Sequence, residues 1–311
     1  MESSISKPKI SVCVVTYNHE KYIRQCLQSI VDQQTDYSIE IIVGEDGSTD
    51  GTRAIVQEFA TRYPGLIRAI LHDRNLGPDV NYDSVHDIAR GDLVAHCDGD
   101  DYWLPGKLQA QAEFMMRHPQ CNISGHKAYR LSDSGEMLSS AIEDMPPLST
   151  VSAFYRHGNF LNHSSTMYRS SRRIPVSLRE KHGLDFLYHI WRAGDGAIGF
   201  QNEHYAVYRQ HGASMMNSYY SSLYYFQLNL IALEEIHKVV GQPKEFEASK
   251  FILSKDYMKN FIANGRADLA RQVAADAHRF MARKQHRLLL DFMAALDYFV
   301  LLTVRAKRRY L

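Results

Sequence analysis

The run His96-Cys97-Asp98-Gly99-Asp100-Asp101-Tyr102-Trp103 places three carboxylates within four positions, directly behind an apolar stretch that begins at Leu93. Like charges this close repel one another unless something cationic stands among them. Gly99 lets the chain turn tightly, so Asp98 and Asp100 can face one point. Hard oxygen ligands in that number, with no thiolate or histidine pair beside them, favour Mg²⁺ or Mn²⁺ over zinc. Such ions seldom sit in all-protein cages; one or two carboxylates plus substrate phosphates are usual. The spacing therefore points to a divalent metal carrying a diphosphate, against the plainer reading of a solvated acidic turn.

Elements upstream must hold these acids. Residues 1–120 alternate between short β-branched runs (10–15, 39–46, 66–71 and 92–98) and helical patterns (20–33, a second opening in Ser48–Thr52, and 80–89). That alternation predicts a parallel sheet with helices on its faces. In such a sheet, ligands bind outside the carboxyl ends of the strands. Polar clusters fall at three of those ends: Thr16–His19, Glu45–Thr52 and Asp98–Trp103. Asp46 could accept a hydrogen bond from a nucleotide base. Gly47, Ser48 and Asp50 also suit a turn and helix cap, and Tyr17 and Asn18 could pack or cap.

Beyond this half the reading is mixed. A helix is expected over 105–119, framed by Pro105 and Pro119, then a hairpin around Asp133–Gly135, a strand over 162–169, a helix over 185–194 and a strand from Ala197 to Arg209. From about residue 218 the patterns are amphipathic helices, so two domains are expected, 1–217 and 218–311. The last helix, 288–311, carries Asp291 and Asp297 in an apolar run shorter than the ~20 residues of a membrane span. Its basic end, Arg305, Lys307, Arg308 and Arg309, suits an interfacial helix on anionic lipid, or the solvated tail of a core or dimer helix.

The chain has 311 residues, 45% hydrophobic and 23% charged, with a net charge of +1. It is an ordinary globular composition, with no basic field for nucleic acid. Cys13, Cys26, Cys97 and Cys121 form no CxxC pair and fall mostly in apolar segments, as small buried hydrophobes do. The first residues lack a signal-peptide pattern, so a cytoplasmic location is expected.

The segments from Ser11 to Gln33, Ile41 to Thr52 and Ala89 to Leu108, with Asn75-Leu76-Gly77 between and Gly183 to Ser214 later, resemble the successive motifs of family 2 glycosyltransferases of the GT-A fold. The resemblance spans residues 8–215 and is most specific in the first 120. It implies a Rossmann-like, mainly parallel mixed α/β sheet and an inverting, metal-dependent transferase. Such an enzyme moves a sugar from a nucleotide-diphosphate donor, by family habit a UDP-sugar, to an acceptor hydroxyl. A glycan or lipid-linked acceptor in bacterial surface polysaccharide or lipopolysaccharide assembly is the expected setting. The protein would then work in the cytoplasm, with peripheral contact to the inner membrane or a homodimer through the C-terminal helices.

Carried onto this sequence, the resemblance makes Thr16, Tyr17, Asn18, Glu45 and Asp46 the nucleotide pocket, with Asp98 near the ribose and metal. Asp100 becomes the principal ligand of Mn²⁺ or Mg²⁺, with Asp101 supporting it. Relatives place an acidic pair before the late helix and use its Asp as general base; here the pair is Leu184-Asp185. Arg209 and His211 would stand against the diphosphate or the metal. Trp103 would wall the sugar or acceptor pocket, or pack. A sugar nucleotidyltransferase would carry a glycine-rich basic loop after the first strand, and a dinucleotide-dependent dehydrogenase a GxGxxG; neither is present. A sugar-nucleotide-binding protein without turnover stays open, and substitution of Asp185 separates it from an enzyme.

Overall fold

A computed structural model describes residues 9–140, 142–172, 174, 185–211, 223–241, 243–280, 287 and 290. The chain divides into two compact units, one of residues 1–151 with 159–211, the other of 152–158 with 212–311.

The first unit opens with β1 (Ile10–Thr16), α1 (Ile23–Val31), β2 (Ile39–Glu45), α2 (Thr52–Arg62), β3 (Ile67–Leu71), α3 (Pro78–His86) and β4 (Leu93–Asp98), the expected alternation. The hydrophobic spacing of α1 buries Ile23, Cys26, Leu27 and Ile30 on one face. They pack with Val12 and Val14 of β1, Ile41 and Val43 of β2 and Val56 and Phe59 of α2. All four cysteines are buried.

Register then decides what meets at the carboxyl edge. In the parallel β1–β2 ladder Thr16 lies beside Glu45, and in the parallel β1–β4 ladder Val15 lies beside Asp98. The three polar clusters therefore emerge side by side, around the strand where the order reverses.

The remaining strands are β5 (Tyr102–Trp103), β6 (Cys121–Ser132), β7 (Met137–Leu138), β8 (Leu148–Ser149), β9 (Met167–Arg169) and β10 (Ala197–Gln210), with helices α4 (Lys107–Arg117) and α6 (Asp185–Ala193). Sheet order is β3-β2-β1-β4-β9-β6-β10-β5, with β7 on β6 and β8 on β10. β6 and β7 form the expected hairpin. The strand expected over 162–169 is shortened to β9, preceded by a 3₁₀ turn over His163–Ser165. The hydroxyls of Ser165 and Thr166 donate to the carbonyls of Asn162 and His163 at 2.7 and 2.8 Å, a local alternative to the sheet ladder.

In the second unit, α5 (Ala153–His157) joins α7 (Leu223–Val240), α8 (Pro243–Ala263) and α9 (Ala267–Phe280). Its core gathers Phe226, Tyr257, Met258, Phe261, Val273 and Leu290. Among the described residues no helix is long and apolar enough to cross a membrane. The helix expected over 288–311 lies, apart from Leu290, outside the described residues.

Candidate active site

The turns after β1 and β2 brace each other. Asn18 adopts φ +53°, in the left-handed region that asparagine tolerates better than most residues. Its N–H donates to the Ser48 hydroxyl at 3.0 Å, and its Oδ1 accepts the Thr49 N–H at 2.9 Å. Thr16 is buried and its hydroxyl lies 3.3 Å from Nδ1 of His19, while Tyr17 is exposed.

Glu45, expected to line the nucleotide pocket, is fully buried. Its Oε1 accepts the Ser48 N–H at 2.6 Å and its Oε2 the Arg53 Nε–H at 2.7 Å, so it braces the turn after β2. Asp46 accepts the N–H groups of Leu76 and Gly77 at 2.8 and 3.0 Å, which ties down the loop before α3.

The three carboxylates after β4 have three fates. Asp101 is fully buried; Oδ1 accepts the Arg209 N–H at 2.9 Å and Oδ2 the Ser164 hydroxyl at 2.6 Å. Burial and then the charges of Asp100 and Asp98 push its carboxyl well up. It holds the turn to β10. Asp98 keeps 32% of its side chain exposed, with Oδ1 3.0 Å from Nε2 of His96 and Oδ2 accepting the Ser164 hydroxyl at 3.2 Å. Because β9 runs antiparallel to β4, the chain just before β9 lies beside the end of β4, which brings Ser164 here.

Asp100 instead faces the ends of β1 and β10. Its Oδ2 is 2.9 Å from Nε2 of His211 and 3.9 Å from Nε2 of His19. Burial opposes its charge, but the His211 hydrogen bond and the nearby imidazoles outweigh burial and hold the carboxyl below its ordinary range. The reciprocal hydrogen bond raises His211. Its ring stacks on Tyr22 at 4.9 Å. Antiparallel pairing of Val207 with Tyr102 and Ala206 with Trp103 carries the end of β10 to this turn. The Arg209 guanidinium is held between the rings of Tyr22 (5.1 Å) and Tyr102 (4.7 Å) and donates to the Asp100 carbonyl and the Gln25 side chain.

Trp103 packs. It is 2% exposed within the core, donates its indole N–H to the Ser164 carbonyl at 2.9 Å and carries the Lys107 ammonium 3.9 Å from its ring centre.

Asp185 opens α6. Its Oδ1 accepts the Phe186 N–H at 2.8 Å, and Oδ2 lies 3.4 Å from Nδ2 of Asn159. Burial, followed by the Asp98 charge, pushes its carboxyl up to about 7. Sequence reasoning missed Asn159, Ser164, His96, His163 and His189. His96 stands two positions before Asp98 on β4, in the acidic run itself, whereas the other four stand in no motif and only tertiary structure brings them to these acids.

A divalent ion held by the Asp100 carboxylate oxygen and the His211 imidazole nitrogen would replace the proton these two groups share at 2.9 Å, the carboxylate supplying the hard oxygen donor. Two protein ligands leave positions for phosphate and water.

The comparisons agree with this architecture. Residues 11–175 match the profile described as glycosyl transferase family 2. The uncharacterized protein Rv1520 of Mycobacterium tuberculosis is 33% identical over 297 residues, covering 89% of this chain and 83% of the relative. The putative teichuronic acid biosynthesis glycosyltransferase TuaG of Bacillus subtilis is 37% identical over 110 residues, 35% of this chain and 43% of that one. Among solved structures, S. aureus TarS 1–349 in complex with UDP-GlcNAc superposes with a TM-score of 0.64 at 21% identity, covering 93% of this chain and 88% of that one. The mannosyltransferase PcManGT of Pyrobaculum calidifontis, in complex with GDP-Man and Mn²⁺, gives 0.55 at 16% identity, covering 94% and 87%. The fold is GT-A and the protein is a glycosyltransferase. The chain belongs to glycosyl transferase family 2.

Proposed function

We propose that the protein transfers a sugar, with inversion, from a nucleotide-diphosphate donor to an acceptor hydroxyl, and that transfer depends on a divalent metal. The observation that carries this reading is the meeting of the ends of β1, β2, β4 and β10 around the Asp100–His211 pair, with half-buried Asp185 within electrostatic reach of Asp98.

Thr16, Tyr17, Asn18 and Asp46 form the nucleotide side of the cleft in this reading, and Arg209 faces the diphosphate as a fixed cation. Asp100 and His211 would hold Mn²⁺ or Mg²⁺, with Asp98 beside them. The chemistry supplied by the bound ion is compensation of charge on the leaving diphosphate. Asp185 takes the acceptor's hydroxyl proton as that oxygen bonds to the anomeric carbon and the bond from carbon to the diphosphate oxygen breaks. A carboxyl with a pKa near the working pH suits this role.

A UDP-sugar is the proposed donor, supported by TarS, which was crystallised with UDP-GlcNAc. A glycan or lipid-linked acceptor in surface polysaccharide assembly is supported by the name of TuaG. Catalysis belongs to residues 1–217, and the helices after 218 serve membrane docking or self-association. Deleting residues 288–311 then shifts the protein from the membrane to the soluble fraction; equal soluble fractions with and without the tail contradict docking.

Asp185→Asn tests the catalytic reading. Turnover falls by ~10²–10⁴-fold while nucleotide affinity is retained. A variant that turns over like the wild type removes Asp185 from the chemistry.

A further inference from the structure

Two histidines that take no part in the steps above, His163 and His189, stand beside Asp185 and form a second constellation of ligating side chains with it. α6 presents Asp185 and His189 four positions apart, so both lie on one face. Against that face the 3₁₀ turn brings His163, whose Nδ1 is 3.2 Å from Nε2 of His189. One ligating atom from each of His163, Asp185 and His189 lies within 4.8 Å of the others.

The hydrogen bonds around the group fix where its lone pairs point. Ionised Asp185 can only accept, so the Asn159 group facing it is the amide NH₂. The Asn159 carbonyl oxygen therefore faces His189 and, at 2.9 Å, takes the proton of its Nδ1. Neutral His189 then carries its lone pair on Nε2, aimed at His163. Burial, ahead of neighbouring charges, pushes both imidazoles well below their usual range, so both are neutral. Two nitrogens on one ion at ~2.0–2.1 Å stand ~3–3.4 Å apart, which matches the His163–His189 separation. The Asn159 bridge to His189 and Asp185 has the form of an outer-shell clamp on two ligands.

A different group, His96, Asp98 and His163, is as compact but less suited. Asp98 takes a proton from Nε2 of His96 at 3.0 Å, which leaves His96 Nδ1 to accept from Nε2 of His86 at 3.0 Å. Nδ1 of His86 in turn faces the Tyr168 hydroxyl at 2.8 Å. The lone pair of His96 is aimed away from Asp98 and into that chain.

We propose that His163, His189 and Asp185 form a binding site for a divalent first-row transition ion of the zinc type, separate from the hard-ion pair Asp100–His211. Imidazole nitrogens with one carboxylate suit zinc, cobalt or nickel better than magnesium. On binding, His163 moves its proton from Nδ1 to Nε2, and the ion replaces the shared proton between the two rings. A filled site engages the Asp185 carboxylate and so blocks transfer. That consequence rests on the role proposed for Asp185, whereas the binding itself does not.

The test is calorimetric titration of the full chain with Zn²⁺ in excess Mg²⁺, for wild type and for Asp100→Asn, His163→Gln, His189→Gln and Asn159→Ala. One equivalent is expected in the wild type and in Asp100→Asn. Affinity should fall by more than ~100-fold in each histidine variant and by ~10–100-fold in Asn159→Ala. Less than one equivalent in the wild type, or unchanged affinity in folded histidine variants, overturns the proposal. Should those variants fail to fold, Co²⁺-loaded Asp100→Asn, which lacks the other carboxylate–imidazole pair, decides. Ligand-field bands of nitrogen and oxygen ligands support the site. A thiolate charge-transfer band, assigning the metal to the buried cysteines, overturns it.

Discussion

Asp100 and His211 lie 111 positions apart in sequence, yet a carboxylate oxygen of one is 2.9 Å from Nε2 of the other. The pairing depends on β10 returning antiparallel to β5, which sets its last residues against the turn after β4. His211→Gln should raise the Mn²⁺ concentration that supports half-maximal transfer by ~10-fold or more, because one of two protein ligands is lost. Metal titrations of initial rate measure this, and an unchanged Mn²⁺ requirement removes His211 from the metal site.

Arg209 is set by two tyrosine rings and two acceptors, and a lysine cannot reproduce a stacked, forked contact. Arg209→Lys should weaken nucleotide-diphosphate binding by about tenfold, the scale of one cation–π contact and its hydrogen bonds. The thermal midpoint shows whether the fold survives. Equal affinity in a folded variant would mean that this cation serves only the turn.

Trp103→Phe should lower stability by ~1–3 kcal/mol, since the Ser164 carbonyl loses its indole donor in a buried place. Donor and acceptor KM should stay as they are. A variant of normal stability and altered KM would instead make Trp103 a pocket wall.

What the sequence disclosed is what local pattern controls. Short apolar, β-branched runs at Ile10–Thr16, Ile39–Glu45 and Leu93–Asp98 specified strands, and the polar residues just past each end marked the cleft. Asp98, Asp100 and Asp101 read alike in sequence, yet they separate into a half-open acceptor, a partner of His211 and a buried brace, because Ser164 and β10 arrive from far along the chain. The same holds for His163 and His189, which no spacing rule connects. Ser165 and Thr166 misled the strand reading because their hydroxyls compete for backbone carbonyls, which periodicity does not register.

Lys107 offers a test by pH. It is fully buried, its ammonium donates to Gln111 at 2.8 Å, and burial lowers it to about 7. Between about 7 and the ordinary value of 10.5, the unfolded chain binds this proton and the folded one does not, so stability rises with pH across that window. Below 7 both states are charged and the full burial penalty remains. Lys107→Met lacks this dependence, so its stability relative to wild type should be highest and flat below pH 7 and decline as pH rises towards 10. Denaturant unfolding at pH 6, 8 and 9.5 measures it. A difference independent of pH would show that the charge is not buried.

The most direct measurement is calorimetric titration of the purified protein with UDP, GDP and dTDP, each with and without Mn²⁺, alongside Asp100→Ala. UDP is expected to bind only when Mn²⁺ is present, and Asp100→Ala to abolish this binding. UDP binding of equal strength without metal, or unchanged in Asp100→Ala, would contradict a metal-held diphosphate at the turn after β4.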